Sequence, residues 1–393
     1  MFFLKILIIS IFIYHLLVIF IGFYKDYNKY NMTVESILTN RFFIKENKTV
    51  NILIHCVSCG EFKCITPLID MFVEKNIQYR VSIHTPTGFN MAKHKYNTFL
   101  KPYDSFLSML HLFFVLKPQI IIISGSDTWP FFIFFSLLLN TKIYYINYEI
   151  KNKFLRNSLH YYISTKIFLK QTKHTYLSKY KNKYFYLGDL KFLYKTNLNT
   201  IKNNKIILTI ASAHKEEFKI HLDFIKKIIN KYPNIKIIYI PRHLDWYSLL
   251  ISKLKNIDFN ISNNIHHVLN SKKNIQIFWK MGCLNTILQH SHICLMGGTF
   301  DDTGGHNLIE PGINKNAILT GPNTHTQDNQ VNVLYIIKTQ NCLDLVFKTD
   351  DLIKNKMYLK IGEENFKRIE RERKHIIENL QNLFFLSFTN LSK

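Results

Sequence analysis

Five stretches carry the residues best suited to chemistry, four of them short. "VSCGE", residues 57–61, follows an apolar run and puts Glu61 just past Gly60. A carboxylate at that place either caps a helix, where the dipole favours it, or faces a cleft as a general base. "IPRH" puts Arg242 and His243 after a second apolar run. Arginine suits bidentate phosphate contacts, although a solvated surface arginine has the same local signature. "SGSDTWP" offers Asp127 as a cap for a helix starting at Pro130, and Trp129 as a pocket wall. "HTPTG", residues 84–88, is either an anion site or a plain turn.

The longest such stretch is "MGGTFDDTGGHNLIEPG", residues 296–312. It holds five of the chain's thirteen glycines. Gly297 and Gly298 end an apolar run, and Gly304 and Gly305 precede a helix start. Paired glycines let backbone approach a ligand, and a helix N-terminus offers N–H groups and a positive dipole to a phosphate. Glu310, one turn in, is placed to take ribose hydroxyls. Neither G-x-G-x-x-G nor a P-loop is present, so the stretch indicates a nucleotide without saying which. Asp301 and Asp302 have no role in this reading, and carboxylates so near a phosphate should point away from it.

The elements that position these residues alternate. "VNILIHCVS", "YRVSIHTPTG", "PQIIIISGS" and "KIYYINYE" read as buried strands separated by helices, and the alternation restarts at "IILTIASAH". Continuous apolar strands between helices predict parallel sheets covered on both faces, with ligands beyond the strands' carboxyl ends. The expected organisation is an anchor at 1–30, a domain at 31–190, a linker at 191–205, a domain at 206–375 and a helical tail at 376–393.

Composition narrows the partners. Net charge is +24, from 51 basic and 27 acidic residues. That field favours an anionic membrane or phosphorylated substrate, and no zinc-finger, RNA-binding or helix-turn-helix pattern supports nucleic acid. Cys56, Cys59 and Cys64 beside His55 are read as small buried residues in preference to a metal site. The apolar run at residues 6–23, followed by Lys25 and Lys29, predicts a membrane anchor with the rest of the chain cytoplasmic. Tyr14 and His15 within it leave room for shallow insertion instead of a span.

Taken in order, "HCVSCGE", "TPTG", "KPYD", "WP", "GDLKF", "ASAH", "PRH", "MG" at Met281, and "GGHNLIEP" followed by "GPNTHTQDN" resemble the 3-deoxy-D-manno-octulosonic acid (Kdo) transferases of lipopolysaccharide assembly. The matches span residues 54–329. The resemblance implies a GT-B fold of two Rossmann-like domains facing a cleft, at the bacterial inner membrane. It implies inverting transfer of Kdo from CMP-Kdo to the tetraacyl lipid A precursor. By match, Glu61 is the base. Arg242, His243, Met281, Gly282, Gly304, Gly305, His306, Asn307 and Glu310 are the CMP side. Ser58, Gly60, Thr87, Asp127 and Lys191 are the acceptor side. No metal or other cofactor is expected.

The chain departs from the family pattern at four places. Gly125 and Asp127 stand where two glutamates are usual, Glu149 where an arginine is, and Cys283 where a glutamate is. These leave open another GT-B sugar-nucleotide transferase, or a membrane-bound relative that has lost catalysis.

Overall fold

The computed structural model describes residues 2–42, 44, 49–125, 127, 129–146, 174–178, 185–194, 201–202, 204–254 and 257–385. The position of Glu149 lies outside them. The chain forms two compact units: residues 1–194 with 378–393, and residues 195–377.

The first unit is built on β1 (Ile52–Cys56), β2 (Tyr79–Ile83), β3 (Thr98–Leu100), β4 (Ile120–Ser124), β5 (Lys142–Ile146), β6 (His174–Ser178) and β7 (Phe185–Tyr186). All pairs are parallel, in the order β3-β2-β1-β4-β5-β6-β7. β1 and β4 are buried at every position, as strands covered on both faces must be. The helices are α1 (Phe2–Asn28), α2 (Val34–Arg41), α3 (Cys59–Glu74), α4 (Pro86–Ala92), α5 (Phe106–Leu116) and α6 (Pro130–Leu138). Residues 191–193, expected at the start of the linker, belong instead to a largely buried 3-10 turn (Leu190–Leu193) of this unit.

The second unit has β8 (Ile207–Ala213), β9 (Lys236–Pro241), β10 (Phe259–Ser262), β11 (Ile275–Phe278), β12 (Ile293–Met296), β13 (Ala317–Thr320) and β14 (Ile336–Lys338). Its order is β10-β11-β9-β8-β12-β13-β14, again parallel throughout. Of its helices, α7 (Phe218–Lys231) follows β8 and α8 (Leu284–His290) follows β11. α9 (Ile309–Ile313) follows β12, and α10 (Met357–Leu380) runs on into the tail. In each sheet the strand order reverses near its centre, between β1 and β4 and between β8 and β12, and in the second sheet β10 also lies outside β11 at the edge. Open parallel sheets bind ligands in the crevice beyond the carboxyl ends at that reversal.

α1 is fixed to its unit by charge as well as by packing. Arg41 of α2 donates from Nε and Nη2 to the two carboxylate oxygens of Asp26, at 2.6 and 2.8 Å, in a fully buried pair. Tyr103 Oη donates to the same carboxylate at 2.8 Å, and its ring lies flat where any side chain at Gly22 would stand. The opposite side of α1 leaves Leu16, Leu17, Phe20 and Tyr24 exposed. Among the described residues no helix is long and apolar enough to cross a membrane, so the spanning form of the expected anchor is not found.

Candidate active site

In the first unit the turn after β1 enters α3 through a capping box. Val57 and Ser58 donate backbone N–H groups to Glu61 Oε2 at 2.6 and 3.1 Å. Glu61 N–H donates to Ser58 Oγ at 3.4 Å. The capping reading of Glu61 is therefore correct, and it occupies Oε2. The other oxygen turns across the crevice toward the end of β4: a Cβ on Gly125 would stand 3.2 Å from Glu61 Oε1 and 3.7 Å from Asp127 Oδ2. Gly125 has φ 102°, so the glutamate usual there would be strained in backbone and crowded by Glu61.

Asp127 does not cap α6, contrary to expectation. Asp104 does, accepting from Phe131 and Phe132 N–H at 3.1 and 2.9 Å. Asp127 is instead left facing Glu61, and its carboxyl is pushed up to about 6, first by burial and then by the charge of Glu61, with Lys101 opposing. A carboxyl whose hold on its proton is raised beside a second carboxylate is a pattern found at acid–base sites. Lys101 is buried behind them, its Nζ 4.3 Å above the Trp129 ring, and burial pulls it down to about 8. Trp129 Nε1–H donates to His55 Nε2 at 3.1 Å, and His55 Nδ1 lies 2.8 Å from Ser82 Oγ. Both His55 nitrogens are thus occupied and Cys56 is fully buried, while Cys59 and Cys64, expected to be buried with it, are only half-buried. Thr85, not Thr87, caps α4, and Thr87 is exposed on its first turn. Ser58 is the cap of α3, Gly60 is exposed, and Lys191 sits half-buried in the 3-10 turn.

In the second unit a residue that the sequence reading passed over organises the site. Glu217, at the start of α7 and 1% exposed, spreads its carboxylate under the turn after β12. Oε1 accepts from Thr299 and Phe300 N–H at 2.8 Å each. Oε2 accepts from Gly298 N–H at 2.7 Å and from His214 N–H at 3.2 Å. The backbone donors expected to cradle a phosphate are therefore satisfied internally. Gly297 is there because a Cβ would meet Ser212 O at 2.4 Å. The start of α9 is filled as well: Leu308 N–H donates to Gln330 Oε1 and Ile309 N–H to Asn307 Oδ1, at 2.7 and 3.2 Å. What the glycine-rich stretch offers a ligand is side chains.

Those side chains meet where β8, β9 and β12 end. His214 Nε2 lies 2.8 Å from His306 Nε2, and its Nδ1 lies 3.1 Å from Asp301 Oδ2. Asp301 thus points at His214, not away from the site. His243 is exposed, with its ring 6.0 Å from that of His214, and Arg242 is near enough for its charge to act on His306. His306 is pushed down to about 4, chiefly by burial, then by His214 and Arg242. Gly304 and Gly305 take φ 83° and 89°, and a Cβ on Gly304 would meet the His325 ring at 2.5 Å. Glu310 is half-buried, 3.4 Å from Asn307 Nδ2. Met281 and Gly282 are exposed beyond β11, and Cys283 caps α8 without a side-chain bond. A cavity of about 570 Å³ opens here, walled by His214, Glu216, His243, Trp246, Asp301 and Thr303. His214, Glu216 and Asp301 bring one ligand atom each within 4.8 Å of one another, a spacing open to a cation. A cation there would first have to break the Asp301–His214 hydrogen bond.

Comparison with known proteins gives a likeness over most of the chain. Residues 36–185 match the family model described as 3-deoxy-D-manno-octulosonic-acid transferase (kdotransferase). The 3-deoxy-D-manno-octulosonic acid transferase of Aquifex aeolicus is 26% identical over 343 residues, covering 83% of this chain and 93% of its own. That of Haemophilus influenzae is 25% identical over 306 residues, 70% of this chain and 71% of its own. The chain thus resembles the Kdo transferases over most of its length, and this likeness marks it as a glycosyltransferase. Among solved structures, the UDP-GlcNAc 2-epimerase of Neisseria meningitidis superposes with TM-score 0.57 at 15% identity, over 85% of this chain and all of its own. That likeness shows a GT-B-like α/β fold with two parallel sheets and nothing finer.

Proposed function

We propose that this Kdo transferase relative moves Kdo from CMP-Kdo to a lipid A precursor with inversion. Glu61 takes the proton of the acceptor hydroxyl as the oxygen attacks the anomeric carbon, and the bond to the CMP phosphate breaks. The observation that carries this is Glu61 Oε1, turned across the crevice toward Asp127 while Oε2 is held by the capping box. Ser58, Gly60, Thr87, Asp127 and Lys191 are assigned to the acceptor. Arg242 and His243 are assigned to the donor phosphate, with His306, Asn307, Glu310, Met281 and Gly282 around the rest of the nucleotide. The phosphate charge is met by these cations without a resident metal.

We also assign membrane contact to α1. Its Leu16, Leu17, Phe20 and Tyr24 are exposed, as are Leu107, Leu110 and Phe114 of α5, and Tyr14 of α1 and Phe106 of α5 both pack on Phe131. Such an apolar strip on a basic protein suits shallow insertion into an anionic inner-membrane leaflet.

The test is full-length protein with CMP-Kdo and the tetraacyl precursor, read by product mass. Glu61→Gln keeps an oxygen for the Val57 and Ser58 amides but is no base. It should fold and lose at least ~100-fold in turnover. Full activity in that variant refutes the base, and no Kdo transfer by the native protein refutes the function.

A further inference from the structure

The donor reading has no use for Asp301, yet Asp301 is held carefully. Its Oδ1 accepts from Thr303 N–H at 2.9 Å, and its carbonyl accepts from Asn323 Nδ2 at 2.7 Å. These bonds aim Oδ2 at His214 Nδ1, 3.1 Å away. His214 is fixed from below by its own N–H on Glu217. His306 reaches it at 2.8 Å, nitrogen to nitrogen, with its Nε2 also 3.2 Å from where a Gly298 Cβ would stand.

A contact between two nitrogens holds one proton. An ionised carboxylate can only accept, so Asp301 requires the proton on His214 Nδ1. A neutral His214 then has a bare Nε2, which can only accept from His306 Nε2–H. His306 is left with a bare Nδ1. The chain Asp301, His214, His306 thus passes a tautomer from an acid to the second ring along, as a carboxylate behind a histidine does in metal and hydrolase sites. Burial and the nearby Arg242 both disfavour a charge on His306, which fits a neutral ring.

We propose that Asp301 and His214 are positioning residues that lock His306 as a hydrogen-bond acceptor at Nδ1, so that it recognises a hydroxyl or amine of the donor and not its phosphate. This rests on the donor assignment above. It divides the work of the site: Arg242 and His243 meet anionic charge, and His306 meets a neutral donor group of the nucleotide or sugar. It also explains why two acids sit beside a phosphate site. Asp301 is spent on His214, and the exposed groups around the pair (Lys215, Glu216, Asp245 and Asp302) lie on the solvent side.

The experiment is two-bond ¹H–¹⁵N correlation on full-length protein labelled at histidine, at pH 7.5, with His306 assigned through His306→Gln. The native protein should show His306 protonated at Nε2 only and His214 at Nδ1 only. Asp301→Asn presents an amide that can donate, so both rings should flip, leaving His306 with Nδ1–H. In kinetics that variant should raise the KM for CMP-Kdo roughly tenfold with kcat little changed, the mark of a lost ground-state hydrogen bond. A native His306 carrying Nδ1–H overturns the proposal, and that spectrum decides even if Asp301→Asn fails to fold. An Asp301→Asn protein with unflipped rings and native KM overturns it too. Failure of the native protein to use CMP-Kdo would refute the donor reading while leaving the tautomers as measured.

Discussion

Replacing Glu217 by glutamine removes one charge and no volume, and the structure fixes what must follow. Each carboxylate oxygen accepts two backbone N–H groups, four in all, at a position 1% exposed. A glutamine oxygen can serve one pair. Its NH₂ must then face the other pair, donor against donor, whichever way the amide is turned. Charge-assisted bonds weaken and two buried donors lose their acceptor, which costs about 2–4 kcal/mol. For a unit of this size that is a fall of roughly 5–15 °C in the midpoint of its transition. Glu217→Ala leaves all four donors bare and should be worse. The assay is thermal unfolding of the full-length protein together with hydrogen exchange over residues 296–303, where Gly298, Thr299 and Phe300 should lose protection. A Glu217→Gln protein within about 0.5 kcal/mol of native, with those amides still protected, would show that the carboxylate is not what holds the turn.

Asp127→Asn tests the crevice charge. The folded carboxyl, raised from 3.8 to about 6, binds its proton more tightly than the unfolded one, so stability falls as pH rises through that window. The amide should therefore stabilise by up to about 2 kcal/mol at pH 8 and by nothing near pH 4, read from midpoints at the two pH values. Gly304→Ala forces a side chain into φ 83° and onto the His325 ring, and should cost about 2 kcal/mol or more while weakening CMP protection in thermal shift. Asp104→Ala removes the acceptor for two amides of α6 and should destabilise the first unit by about 2 kcal/mol in the same assay. Phe20→Glu should reduce cosedimentation with anionic vesicles while leaving activity on detergent-dispersed acceptor intact.

The central strands of both sheets were legible because β1, β4, β8 and β12 are continuous apolar runs ending in polar or glycine residues. β3, β6, β7 and β14 were not, since three residues or fewer, or a mixed run such as "HTYLS", carry no period to read. The capping role of Glu61 was legible from its place after a glycine at a helix start. Glu217 sits at the same place in "ASAHKEE", but three of its four partners lie more than eighty residues away, and no local spacing encodes that. The glycines of residues 297–305 signalled tight backbone correctly. They could not say whether the tightness served a ligand or, as at Gly297 against Ser212, the packing of one turn on another.

The Asp26–Arg41 clamp changes what kind of attachment α1 can be. It closes across residues 29–33, the short stretch between α1 and α2, so the length of that stretch does not govern reach. α1 is a mount and not a leash. Wherever its apolar strip lies, the crevice of the first unit is carried at one height and one tilt above that surface. With α1 as the membrane contact and Glu61 as the base, as proposed, an acceptor would be selected partly by how far its hydroxyl protrudes, a ruler set by protein geometry before any contact with Glu61 is made.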